Sequence, residues 1–87
     1  MKKSYIVVNQ KGLTASPATK LAALTSKLSN DILIHYDGVA VTTKSTISIL
    51  SLGVPYQGEI SIIVKGDNAD KIHQTIYHTL KHEALIE

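Results

Sequence analysis

The 87-residue chain has no cysteine, no tryptophan and no phenylalanine, and its nine basic residues are all lysines, with no arginine among them. Without cysteine there is no disulfide, no thiolate nucleophile and no zinc site built on sulfur, a composition that suits the cytoplasm. Without arginine, and with the lysines scattered, there is no basic stripe interleaved with aromatics, so direct binding of nucleic acid is not expected. The apolar run in "MKKSYIVVNQ" is too short for a signal peptide. No stretch approaches the length of a membrane span, so no membrane role is expected either. What remains is a chain that is 44 % hydrophobic with a formal charge of +2, in which Ile, Leu, Val and four tyrosines must do the packing. That length predicts one domain over residues 1–87.

Periodicity and turn residues predict the order β-α-β-β-α-β-α. Tyr5 to Val8 reads as a strand, broken by Gly12. Thr14 or Ser16 can cap the next segment, and Pro17 sits where a helix accepts proline, in its first turn. Leu21, Leu24 and Leu28 recur at helical steps, which predicts a helix over roughly Pro17 to Leu28. "ILIHY" and "VAVTT" flank Asp37-Gly38, a strong hairpin signal. "STISILSLG" predicts a short helix opened by Ser45 or Thr46 and closed by Gly53. "EISIIVKG" is a strand. Asp67 or Asn68 caps a last helix with the apolar stripe Ala69, Ile72, Ile76, Leu80 and Ala84 or Leu85. The expected fold is α+β, with a four-stranded, largely antiparallel sheet and three helices on one face.

The chemistry-bearing residues are few. His78 and His82 lie four apart on the last helix and could share a metal ion, but two ligands do not make a site, so no metal and no cofactor is expected. His35 is expected as a hydrogen-bonded sheet residue, and His73 as a partly buried packing residue. Nothing supports general acid–base catalysis with named partners, so the chain is not expected to be an enzyme. The segment from Asn9 to Leu28 nevertheless has the form of an anion site, a glycine turn running into a helix start. Its turn residues, Leu13, Thr14, Ala15 and Ser16, hold no group suited to phosphoryl transfer. Ser45 opens the short helix after Lys44, where a phosphoryl group would be favoured by the helix dipole; taken alone, it is a cap.

"GLTASPATKLA" followed by "KSTISILSLGV" resembles the histidine-containing phosphocarrier protein (HPr) family of the sugar phosphotransferase system. Gly12, Leu13, Ala15, Pro17, Ala18 and Thr19 fit the first motif of that family. Thr14 stands at its phosphoryl-accepting histidine and Ser16 at its arginine. Lys44, Ser45, Ser51, Leu52, Gly53 and Val54 fit the second motif, while Thr46, Ser48 and Ile49 depart from it. The resemblance implies an HPr-like open-faced two-layer sandwich. It is nearest to the HPr-like catabolite-repression proteins that lack the phosphorylatable histidine. It implies phosphorylation of Ser45 by the HPr kinase/phosphorylase, a LacI-type catabolite regulator as partner, and a docking face made by Leu13, Lys20, Ile47 and Leu50. Two alternatives stand beside this reading: a protein-binding module on the same fold that never takes a phosphoryl group and, less favoured, an active phosphocarrier.

Overall fold

The computed structural model describes residues 1–87. The elements are β1 (Lys2–Ile6), α1 (Ala15–Thr25), β2 (Ile32–Tyr36), β3 (Val39–Thr42), α2 (Thr46–Ser51), β4 (Glu59–Val64) and α3 (Ala69–His82). The strands form one sheet in the order β1-β4-β2-β3, and every neighbouring pair is antiparallel. This is the α+β, β-α-β-β-α-β-α architecture expected from the sequence, an open-faced sandwich.

The period of two explains which face is covered. Ile32 and Ile34 of β2, with Ile60, Ile62 and Val64 of β4, are buried in one cluster with Leu21 of α1, Ile49 of α2, and Ile76 and Leu80 of α3. The register sets Ile34 opposite Ile62 and Ser4 opposite Ser61, whose hydroxyls lie 2.8 Å apart. The hairpin between β2 and β3 closes through Asp37 at φ 50° and Gly38 at φ 81°, two consecutive left-handed residues as the tight hairpin turn requires.

Three boundaries differ from the sequence expectation. Strand β1 ends at Ile6, because the backbone of Val7 and Val8 bonds to the segment around Gly58 and to Leu85 instead of to a strand. Helix α1 runs from Ala15 to Thr25, not to Leu28. At its end the hydroxyls of Thr25 and Ser26 bond back to the carbonyls of Leu21 and Ala22, which competes with helical continuation. Helix α3 ends at His82, before the Ala84 or Leu85 of the expected stripe; Asn68 holds its cap position as expected, but at φ 61° and without a side-chain cap bond.

His73 is also corrected. It is 2 % exposed, deeper than a partly buried packing residue. Its Nε2 donates to the Met1 carbonyl at 2.9 Å, which leaves Nδ1 buried without a partner. Nearby, the rings of Tyr5 and Tyr77 stack at 6.1 Å. Burial, and secondarily the neighbouring Tyr77, raises the Tyr5 phenol above its ordinary value of 10.0. A raised folded-state value favours the neutral phenol in the fold. That contribution is complete below the unfolded value and is lost as pH rises through the folded one. The alkaline absorbance titration of Tyr5→Phe should therefore lose a component that rises above pH 10.0 in the parent protein.

Candidate functional site

The first candidate site is the turn between β1 and α1. Asn9 starts it: its Oδ1 accepts from the Lys11 N–H at 2.9 Å, and its carbonyl accepts from the Gly12 N–H. Gly12 sits at φ 77°, and a Cβ there would fall on the Val54 carbonyl oxygen. Gly12→Ala should therefore destabilise the fold by about 2 kcal/mol or more, read as a lower denaturant midpoint. The same Val54 carbonyl accepts from the Leu13 N–H at 3.0 Å, so the turn is clamped onto the loop after α2.

That clamp overturns one expectation. Leu13, expected on an exposed docking face, is 8 % exposed and belongs to the core. Thr14 occupies the cap position of α1 in an extended conformation, but its side chain makes no cap bond. No general base hydrogen-bonds to its hydroxyl. Ser16, in the first turn of the helix, donates from Oγ to Glu83 Oε1 at 2.6 Å.

Glu83 arrives there because the chain reverses after α3. Ala84 adopts φ 58°, the Leu85 N–H reaches the Leu80 carbonyl, and the Leu85 carbonyl accepts from Val8. A carboxylate at the C-terminal end of α3 opposes that helix's dipole, whereas at the start of α1 it is favoured. The first turn of α1 thus carries its own anion. A guanidinium there would hold phosphate oxygens in a fork; the hydroxyl–carboxylate pair presents negative charge instead.

The second candidate site is the start of α2. Ser45 caps it, with Oγ accepting from the Ser48 N–H at 3.2 Å and its carbonyl accepting from the Ile49 N–H. Ser45 is half-buried. Lys44 does not turn its ammonium toward Ser45: Nζ donates to the Leu28 carbonyl at 2.7 Å, beyond the end of α1. Beneath it Thr43, fully buried, donates to Thr25 Oγ1 at 2.9 Å. Ile47 is 81 % and Leu50 38 % exposed, whereas Ile49 of the same helix is buried. Helix α1 packs on both α2 and α3. Lys20 lies on its α3 side, in a hollow with His78 and His82, so the structure does not join it to Leu13 in one surface. Sequence reasoning missed Glu83, for which only its acidic side chain near the end of the last helix was a signal. No group of three or more His, Cys, Asp or Glu is placed to hold a metal ion.

Comparison with known proteins bears on the family and the fold. Residues 1–82 match the family model described as the PTS HPr component phosphorylation site. The histidine-containing phosphocarrier protein of Mycoplasma is 33 % identical, with a TM-score of 0.96, over 100 % of this chain and 99 % of that one. The phosphocarrier protein HPr of Bacillus anthracis is 28 % identical with a TM-score of 0.79, over 91 % of this chain and 94 % of its own. The Bacillus subtilis catabolite repression protein Crh, at 23 % identity and TM-score 0.72 over 85 % of each chain, shares the fold. On that match and this architecture, the chain belongs to the HPr family of phosphocarrier proteins of the phosphotransferase system.

Proposed function

We propose that this chain is a regulatory member of the HPr family and not a histidine phosphocarrier. It would act in the cytoplasm through phosphorylation of Ser45 by an HPr kinase/phosphorylase and through contact with a LacI-type catabolite regulator. The observation that carries the reading is the contrast between the two sites. The first has Thr14 and Ser16 where the family carries its histidine and arginine, and a carboxylate on Ser16. The second keeps a serine at a helix cap, flanked by the exposed Ile47 and Leu50. Phosphate on Ser45 would sit at the positive end of α2, with two apolar side chains beside it for a partner to bury.

The exposed Ile47 also favours a second reading, a protein-binding module that needs no phosphoryl group. Treatment with the kinase, ATP and magnesium followed by mass spectrometry separates the two. A stoichiometric gain of one phosphoryl group, absent in Ser45→Ala, supports the regulatory reading; no gain, with the kinase active on a true carrier, supports the second.

A further inference from the structure

The side of α1 turned away from α2 carries a groove that shares only Glu83 with the first candidate site. At one end an open hollow of about 530 Å³ is bordered by Lys20 of α1 and by Thr75, His78 and His82 of α3, with Glu83 at its edge. At the other end an apolar hollow of about 110 Å³ is lined by Leu24, Leu28 and Ile72 beside Lys71. Thr75 borders both, so the two hollows adjoin. Lys20 lies near His78 and His82 while Leu28 lies near Ile72, so the two helices run in opposite directions along the groove. From Lys71 to His82 it is about 16 Å long at the α-helical rise of 1.5 Å per residue. An extended peptide of about five residues spans that length.

We propose that this groove docks an acidic segment of a partner protein that carries an aliphatic anchor. The anchor would enter the hollow of Leu24, Leu28 and Ile72, and carboxylates would lie along Lys20, His78 and His82. Charge decides the occupant. Two lysines and two imidazoles line the groove against one carboxylate, Glu83, and that carboxylate is already held by Ser16. Lys81 of the same helix is turned onto the Tyr77 ring, 5.7 Å from its centroid. A second copy of this chain is a poor occupant, because the sequence carries net positive charge and no run of acidic residues. A free phosphorylated small molecule would use the cationic end and leave the apolar end empty.

An NMR titration of the full chain tests the assignment, with a capped five-residue peptide of two leucines and three glutamates as probe. Saturable shifts should appear from Lys20 to Leu28, along α1 and just past its end, and on α3 from Lys71 to His82, with Ile47 and Leu50 unmoved. The exposed changes Lys20→Glu and His82→Glu together should weaken binding about tenfold, and the amide spectrum itself reports whether the variant is folded. Ser45→Ala should bind as the parent does, which separates this groove from the Ser45 reading. Shifts centred on α2, or no saturation, overturn the proposal. Equal binding of a peptide with its leucines replaced by glycine, or of inorganic phosphate alone, overturns it as well.

Discussion

Incubated with enzyme I and labelled phosphoenolpyruvate, the protein is expected to take up no acid-labile, base-stable phosphoryl label. A phosphocarrier relay needs a P–N bond close in energy to the donor's, and on the proposed reading the acceptor position is Thr14. A threonine phosphate is a stable ester and a poor onward donor. Its hydroxyl is also a weak nucleophile without a hydrogen-bonded base, and Thr14 has none. The first turn adds repulsion, because Glu83 places a carboxylate on Ser16 Oγ at 2.6 Å. Thr14→His alone should therefore recover only weak transfer. Adding Ser16→Arg supplies a charge-assisted contact of about 1.5–3 kcal/mol to the phosphoryl oxygens. That corresponds to roughly a tenfold gain in rate or more. The new guanidinium would also meet Glu83, so Glu83→Gln in the double variant should change transfer further, whereas in the parent it should leave the label absent. Label on any of the four native histidines in the parent protein would overturn this expectation and restore the carrier reading.

The sequence made the local features of the fold legible and left the long-range ones hidden. Asp37-Gly38 marked the hairpin because only a tight turn needs two consecutive left-handed residues. Pro17 and the leucine spacing marked α1, and the strand alternation in "EISIIVKG" marked a core strand. Leu13 was misplaced as a surface residue because its burial depends on Val54, forty-one positions away (54 − 13), whose carbonyl takes the Leu13 N–H. His73 bonds to the Met1 carbonyl, and Ser16 is partnered by Glu83 next to the chain reversal after α3. Lys44 read as a cation beside Ser45, yet its ammonium is taken by the Leu28 carbonyl. In each case a partner distant in sequence decided the matter, and no periodicity carries that information. That Thr14 and Ser16 stand in the turn was legible directly, because they are identities and not contacts.

Kinase treatment should place one phosphoryl group on Ser45 and leave the fold unchanged. In the unmodified protein Ser45 Oγ accepts from the Ser48 N–H, and phosphate oxygens can take over that role with greater charge. The dipole of α2 then favours the modification by about 0.3–1 kcal/mol, a small effect on stability. Amide shifts should accordingly stay near Thr43 to Leu50 and spare the sheet. Ser45→Ala should lose the mass gain and, through the missing cap, about 1 kcal/mol of stability, so the control must be compared at a temperature where both proteins are folded. The larger effect belongs to the partner. Lys44 is committed to Leu28 and does not neutralise the phosphate, which leaves that charge free for a cation on the regulator. Ile47, 81 % exposed, offers the apolar contact beside it. Ile47→Glu should therefore leave phosphorylation and folding intact while weakening regulator binding by about 2 kcal/mol, the scale of an interface hot spot. Regulator binding that is unaffected by both Ser45→Ala and Ile47→Glu would move the contact off this face, because the phosphate and the apolar knob are expected to act together.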